Sequence, residues 1–121
     1  MPSEQTLRDF VTTVESGDYV GAIERFYHPE ASMQENEDAP RVGRDLLVAG
    51  EKRVMATFPS ITARRLAEPM VNGDAVALRW RFEFKRPDGG VMVMDEMAHQ
   101  IWQGERIITE KFFYDPKQMG R

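Results

Sequence analysis

The ten residues from Val76 to Lys85 alternate strictly. Val76, Leu78, Trp80, Phe82 and Phe84 share one parity, while Arg79, Arg81, Glu83 and Lys85 take the other. A period of two with this contrast describes a β-strand buried on one face and wet on the opposite one. Such a strand needs neighbours in a sheet and an apolar layer under one side. Asn72-Gly73-Asp74 just before it is a hairpin signal, so Ile61 to Val71 is expected to be the preceding strand, with a bulge at Arg64-Arg65. After it, Arg86-Pro87-Asp88-Gly89-Gly90 turns the chain into a long strand from Val91 to Trp102. Gln103-Gly104-Glu105-Arg106 turns it again into a last strand, Ile107 to Tyr114. Consecutive strands joined by tight turns need no crossover, so the sheet is expected to be largely antiparallel.

The first half of the chain supplies the covering layer. Leu7, Phe10, Val11 and Val14 fall at helical spacing after Ser3, a capping residue. Ser16-Gly17-Asp18 ends that helix and caps the next, whose stripe is Val20, Ile23, Phe26 and Tyr27. His28-Pro29 stops it, because a residue before proline avoids the helical region. Ala31 to Glu35 reads as a short strand, Glu35 to Val42 as a polar turn, and Arg44 to Phe58 as a third helix with Leu47, Val54 and Phe58 on one side. Helices first and strands afterwards give the α+β class, with a curved sheet wrapped around three N-terminal helices in a cone-shaped barrel. At 121 residues the chain is expected to be a single domain, 1–121.

Charge and composition narrow the functions. A net charge of −4 argues against a nucleic-acid partner, which needs a basic footprint. The absence of cysteine removes thiolate chemistry, and two separated histidines offer no metal cluster. No glycine-rich phosphate loop is present, so neither metal nor cofactor is expected. Without an apolar run of spanning length or a leader-like start, the expectation is a cytoplasmic protein with no membrane partner.

Several stretches resemble the nuclear transport factor 2-like superfamily, in its SnoaL-like and ketosteroid-isomerase-like branches. Gly17-Asp18 followed by Phe26-Tyr27-His28-Pro29-Glu30-Ala31 looks like that family's passage from helix to strand. Gly43-Arg44 is similar to the start of its third helix, and Gln103 to Ile108 with Tyr114-Asp115-Pro116 resembles its closing hairpin. The resemblance implies an apolar cavity between sheet and helices, and commonly a homodimer through the sheet face. Because the superfamily holds isomerases, cyclases, dehydratases and non-catalytic modules, the fold does not name a reaction.

By that resemblance Glu35 sits where ketosteroid isomerases carry their general base. A carboxylate at an apolar cavity wall loses hydration and its pKa rises, which suits it to move a proton beside a carbonyl. The alternative is a solvated loop carboxylate in the acidic run Glu35-Asn36-Glu37-Asp38. The isomerase's two hydrogen-bond donors match Phe10 and Ala98, neither of which donates, and this weakens the steroid reading. Glu110 is the second catalytic candidate. It shares a parity with Ile108, Phe112 and Tyr114, against the alternative that Thr109, Lys111 and Phe113 face inward. Glu96 is expected inward if Ala98 is, or else paired with an arginine. His99 has the opposite parity and is expected on the outer face, and Arg79 and Arg81 outward opposite Trp80, which fits the epoxide-hydrolase branch poorly. Phe10, Tyr27, Phe58, Trp80, Phe82, Ala98 and Phe112 are the candidate walls of a cavity for a small apolar molecule, or else packed core. Two readings stay open. One is a SnoaL-like protein binding such a molecule, with acid–base isomerisation, cyclisation or dehydration at Glu35. The other is a non-catalytic binding or association domain.

Overall fold

The structure, a computed structural model, describes residues 1–120. Helix α1 spans Glu4–Glu15, and the Ser3 side chain accepts from the Thr6 amide at its start. Helix α2 spans Tyr19–Phe26, and Asp18 accepts from the Gly21 amide in the same way. These local bonds satisfy amides that a helix N-terminus leaves without partners. The stripe Leu7, Phe10, Val11 and Val14 of α1 is buried as its spacing predicts.

Strand β1 (Tyr27–Glu35) follows α2 with no intervening turn. Tyr27 and His28-Pro29, expected at the end of a helix, therefore begin a strand. The rule that a residue before proline prefers extended backbone places His28 there, and Pro29 removes only one ladder donor. A two-residue strand β2 (Arg41–Val42) lies in the expected polar turn and pairs with β1. Helix α3 spans Arg44–Thr57 and is entered through Gly43 at φ 108°, in the region that side-chain-bearing residues avoid.

The strand expected from Ile61 to Val71 is instead two, β3 (Ser60–Arg65) and β4 (Met70–Asn72), both antiparallel to β5 (Ala75–Lys85). Between them the Leu66 amide still donates to the Arg79 carbonyl at 2.8 Å, so the chain leaves the ladder for a few residues and returns. Strand β6 (Val91–Gln103) pairs with β5, and β7 (Arg106–Phe113) with β6. The sheet order is β2-β1-β7-β6-β5-β3, with β4 also on β5. The β1–β7 pair is parallel and every other pair antiparallel. The result is the α+β arrangement expected, a largely antiparallel sheet over three helices.

The core fills the layer between them. The Phe10 ring meets Phe26 edge-on at 5.4 Å and Trp102 at 6.0 Å. Trp102 and Leu47 are among the largest side chains with essentially no exposure, each contributing about 1.5–3 kcal/mol by burial. No helix of the described residues is long and apolar enough to cross a membrane.

Candidate functional site

The packing leaves a hollow of about 220 Å³. Strand alternation supplies its sheet side, with Phe82 and Phe84 from β5, Met92, Met94 and Glu96 from β6, and Phe112 from β7. Leu47, Glu51, Val54 and Phe58 supply its helix side. A second hollow of about 90 Å³ is walled by Phe10, Tyr27, Trp80 and Glu110, among others. Tyr19, Met33, Glu51, Phe82 and Phe112 border both, so the two are adjoining parts of one cone.

Four carboxyls reach this cone, in different surroundings. Glu35, at the end of β1, borders the larger hollow with its side chain 44% exposed and Arg41 Nη2 4.0 Å from its Oε1. The desolvated wall carboxylate expected at this position is therefore found elsewhere. Glu96 is that group. Cross-strand register sets it beside Trp80 on the inward face of β6. Burial, and then the charges of Glu110, Glu35 and Glu51, push its pKa up to about 8, and no hydrogen bond or cation among the described residues opposes them. The expected arginine partner goes to its neighbour, since Arg79 Nε and Nη2 reach Asp95 at 3.0 and 2.5 Å on the outer face.

Glu110 is turned inward and buried, and Thr109 and Phe113 are exposed. Its register partner Gln100 donates from Nε2 to Glu110 Oε2 at 2.6 Å. Trp102 Nε1 donates to Gln100 Oε1 at 2.9 Å, and the Tyr27 hydroxyl donates to Glu110 Oε1. Burial raises the Glu110 pKa to about 7, against the lowering effect of the Gln100 and Tyr27 hydrogen bonds. The same burial and the adjacent carboxylate hold the Tyr27 phenol well above its ordinary value. The parity expected for β7 shifts at its start. A bulge opposite Ile101/Trp102 buries Ile107 rather than Ile108, and the alternation resumes at Glu110.

Glu51 and Arg41 were not among the candidates. Glu51 lies on the stripe Leu47, Val54 and Phe58 of α3, and burial raises its pKa, with Arg41 opposing. A charged residue interrupting an apolar helical stripe was the available signal. Arg41 sat in a polar turn with nothing in its spacing to aim it, and β2 pairing with Met33 turns it toward the cone.

Of the other candidate wall residues, Phe58, Phe82 and Phe112 border the larger hollow, and Phe10, Tyr27 and Trp80 the smaller. Ala98 faces inward but is packed with no exposure and borders neither. His99 is exposed on the outer face. No group of three histidines, cysteines or acids among the described residues is placed to hold a metal.

Residues 7–109 match the sequence profile of the SnoaL-like domain. No curated protein sequence matches the chain. Among solved structures, a protein from Mesorhizobium loti assigned as a SnoaL-like polyketide cyclase superposes with a TM-score of 0.78. It is 23% identical, and the match covers 94% of this chain and all of that one. A protein of unknown function with a nuclear transport factor 2-like fold, from Burkholderia pseudomallei, gives 0.81 at 13% identity over 95% and 92% of the two chains. A protein of ketosteroid isomerase-like fold from Catenulispora acidiphila, in complex with trimethylamine, gives 0.77 at 13% identity over 95% and 88%. At these identities the likeness is one of fold.

Proposed function

This chain belongs to the SnoaL-like domain family, and on that premise we propose that its cone binds a small, largely apolar carbonyl compound and moves a proton at the carbon beside the carbonyl. The observation that carries this reading is Glu96, a carboxyl on an oily wall with no hydrogen bond or cation among the described residues to hold its charge. With its pKa near 8 it keeps its proton at neutral pH and can donate a hydrogen bond to a carbonyl oxygen. Glu35, on the border of the same hollow and facing Arg41, takes the proton from the adjacent carbon. The enol so formed is reprotonated elsewhere, expels water, or attacks a second carbonyl. These outcomes are isomerisation, dehydration and cyclisation respectively, and none consumes a redox cofactor. A small molecule bound by the trimethylamine-complexed neighbour supports a ligand of modest size.

The test is solvent deuterium uptake beside the carbonyl of a panel of cyclic ketones, followed by proton NMR. Glu96→Gln and Glu35→Gln are each expected to slow uptake by about 100-fold or more, the usual weight of a general acid or base. Wild-type rates in both variants refute the assignment. A second reading, ligand binding without turnover, draws on Phe10 and Ala98, buried apolar residues that by the family resemblance take the places of the isomerase's donors. It stands if ketones bind but no deuterium enters with wild-type protein.

We infer also that two copies pair through the outer sheet face, where Val91, Val93 and Phe113 are exposed. Sedimentation should give a dimer that Phe113→Asp weakens. A wild-type monomer at tens of micromolar removes the pairing.

A further inference from the structure

The smaller hollow has one polar feature that proton transfer at Glu96 does not use. Trp102 carries an indole N–H that can only donate, and it donates to Gln100 Oε1. This fixes the amide with Nε2 toward Glu110, where it donates to Oε2. Glu110 Oε2 is thus always an acceptor, and a proton on this carboxyl belongs on Oε1, against the Tyr27 hydroxyl. Two states follow. With Glu110 ionised, Tyr27 donates to Oε1 and its oxygen is left to accept from the hollow. With Glu110 protonated, Oε1–H donates to the Tyr27 oxygen, and the tyrosine's own hydrogen is released into the hollow that both residues border.

We propose that the smaller hollow is a subsite for an oxygen of the ligand, and that Tyr27 and Glu110 read that oxygen as one proton-coupled pair. A carbonyl or ether oxygen, which only accepts, is held when Glu110 carries its proton. The size fits a head group. An engineered cavity of roughly 150 Å³ holds benzene, so about 90 Å³ takes one end of a molecule whose body lies in the adjoining larger hollow. Of the other polar groups on the smaller hollow's border, the Tyr19 hydroxyl is already donated to the Ile61 carbonyl at 3.1 Å, and the Glu51 carboxyl also faces the larger hollow, beside Arg41. Phe10 and Trp80 present rings, and the charged groups acting on Glu110 are Glu51 from α3 and Arg41 from β2. Glu96 from β6 couples to it by charge. Glu110 changes protonation around neutrality, so the preference switches within an ordinary buffer range.

This rests on the proposed function only in taking the cone as the ligand site. The test is binding of carbonyl-¹³C cyclohexanone and of methylenecyclohexane, a near-isostere without the oxygen, at pH 5.5 and 8.5. Wild-type protein is expected to bind the ketone roughly fivefold to tenfold tighter at the lower pH, the range of one net hydrogen bond, with the carbonyl resonance moved downfield. The alkene should bind equally at both. In the Glu96→Gln background, where no other protonated carboxyl is assigned to the carbonyl oxygen, Tyr27→Phe abolishes the ketone's pH preference and the resonance shift. In Glu110→Gln the fixed Gln100 amide forces the new amide's Nε2 toward the Tyr27 oxygen. The hydroxyl is then released permanently, and in the same background the ketone binds at its low-pH level throughout. Glu96→Gln, which removes the hydrogen bond assigned to that carboxyl, lowers ketone affinity at pH 5.5 but leaves a pH preference that adding Glu110→Gln removes. The inference is overturned if wild-type ketone binding is flat with pH, if Tyr27→Phe leaves the preference intact in the Glu96→Gln background, or if Glu96→Gln by itself removes the preference. Deuterium uptake plays no part in these readouts. Flat ketone binding with uptake lost in Glu96→Gln overturns this inference alone, and pH-switched binding without uptake overturns only the proton-transfer reading.

Discussion

Glu110→Gln is expected to stabilise the protein, and by an amount that grows with pH. In the unfolded chain this carboxyl titrates at its ordinary 4.5, and in the fold at about 7. Below 4.5 both states hold the proton and the wild type bears no penalty. Between 4.5 and 7 the unfolded chain releases its proton while the native state keeps it, so unfolding becomes progressively easier. Above 7 both are ionised and the full difference remains. Each pKa unit corresponds to about 1.4 kcal/mol, so the penalty is roughly 1 kcal/mol at pH 5 and about 3 kcal/mol at pH 8. Glutamine carries no charge. It can accept from Gln100 and donate to Tyr27, so the variant loses the penalty and keeps both contacts. Removing this charge also relieves Glu96, which Glu110 pushes upward, and that acts in the same direction. The assay is urea unfolding of both proteins at pH 5 and pH 8. With a urea slope of about 1–3 kcal/mol per molar, the midpoint of the variant should gain about 1 M on the wild type between the two pH values. A gap that is the same at both, or that widens toward acid, refutes the claim that burial governs this group.

Three further outcomes follow from the same structure. Glu96→Leu should abolish deuterium uptake and raise stability at pH 9 relative to pH 6, since a desolvated carboxyl gives way to an apolar wall; equal midpoint shifts at the two pH values would count against it. Trp102→Phe leaves Gln100 Oε1 without its donor in a buried site and should destabilise by about 1–3 kcal/mol, read from urea midpoints, with no effect if the oxygen finds another partner. Gly43→Ala meets no atom within 4 Å but forces a Cβ onto φ 108°. A loss of about 1–3 kcal/mol in thermal or urea unfolding is therefore expected from backbone strain alone, and an unchanged midpoint would show that the α3 entry relaxes.

What was legible in the sequence was whatever depends on near neighbours. The alternation of Val76 to Lys85, the Asn72-Gly73-Asp74 turn, and the caps at Ser3 and Asp18 are settled by a few adjacent residues, and the structure keeps all of them. The parallel pairing of β1 with β7 was not legible, because strands at the two ends of the fold meet through register that no local pattern encodes. Glu35 illustrates the same limit. Its position at a strand end was foreseen, but not its ion pair with Arg41, which a separate short strand delivers. Glu51 was overlooked because a charge on a helix is ordinarily a solvated one. Here it completes the stripe that begins at Leu47.

The parallel seating of β1 against β7 has a consequence for how the chain is made. Every other ladder joins segments that emerge from the ribosome close in time, but this one waits for residues near position 113. Glu110 and Phe112 arrive with that same segment, so a nascent chain halted before it carries the helices and the β3–β6 part of the sheet, but not the strand that joins β6 to β1. Anything that stabilises the protein by occupying the cone can act only after synthesis has passed that point.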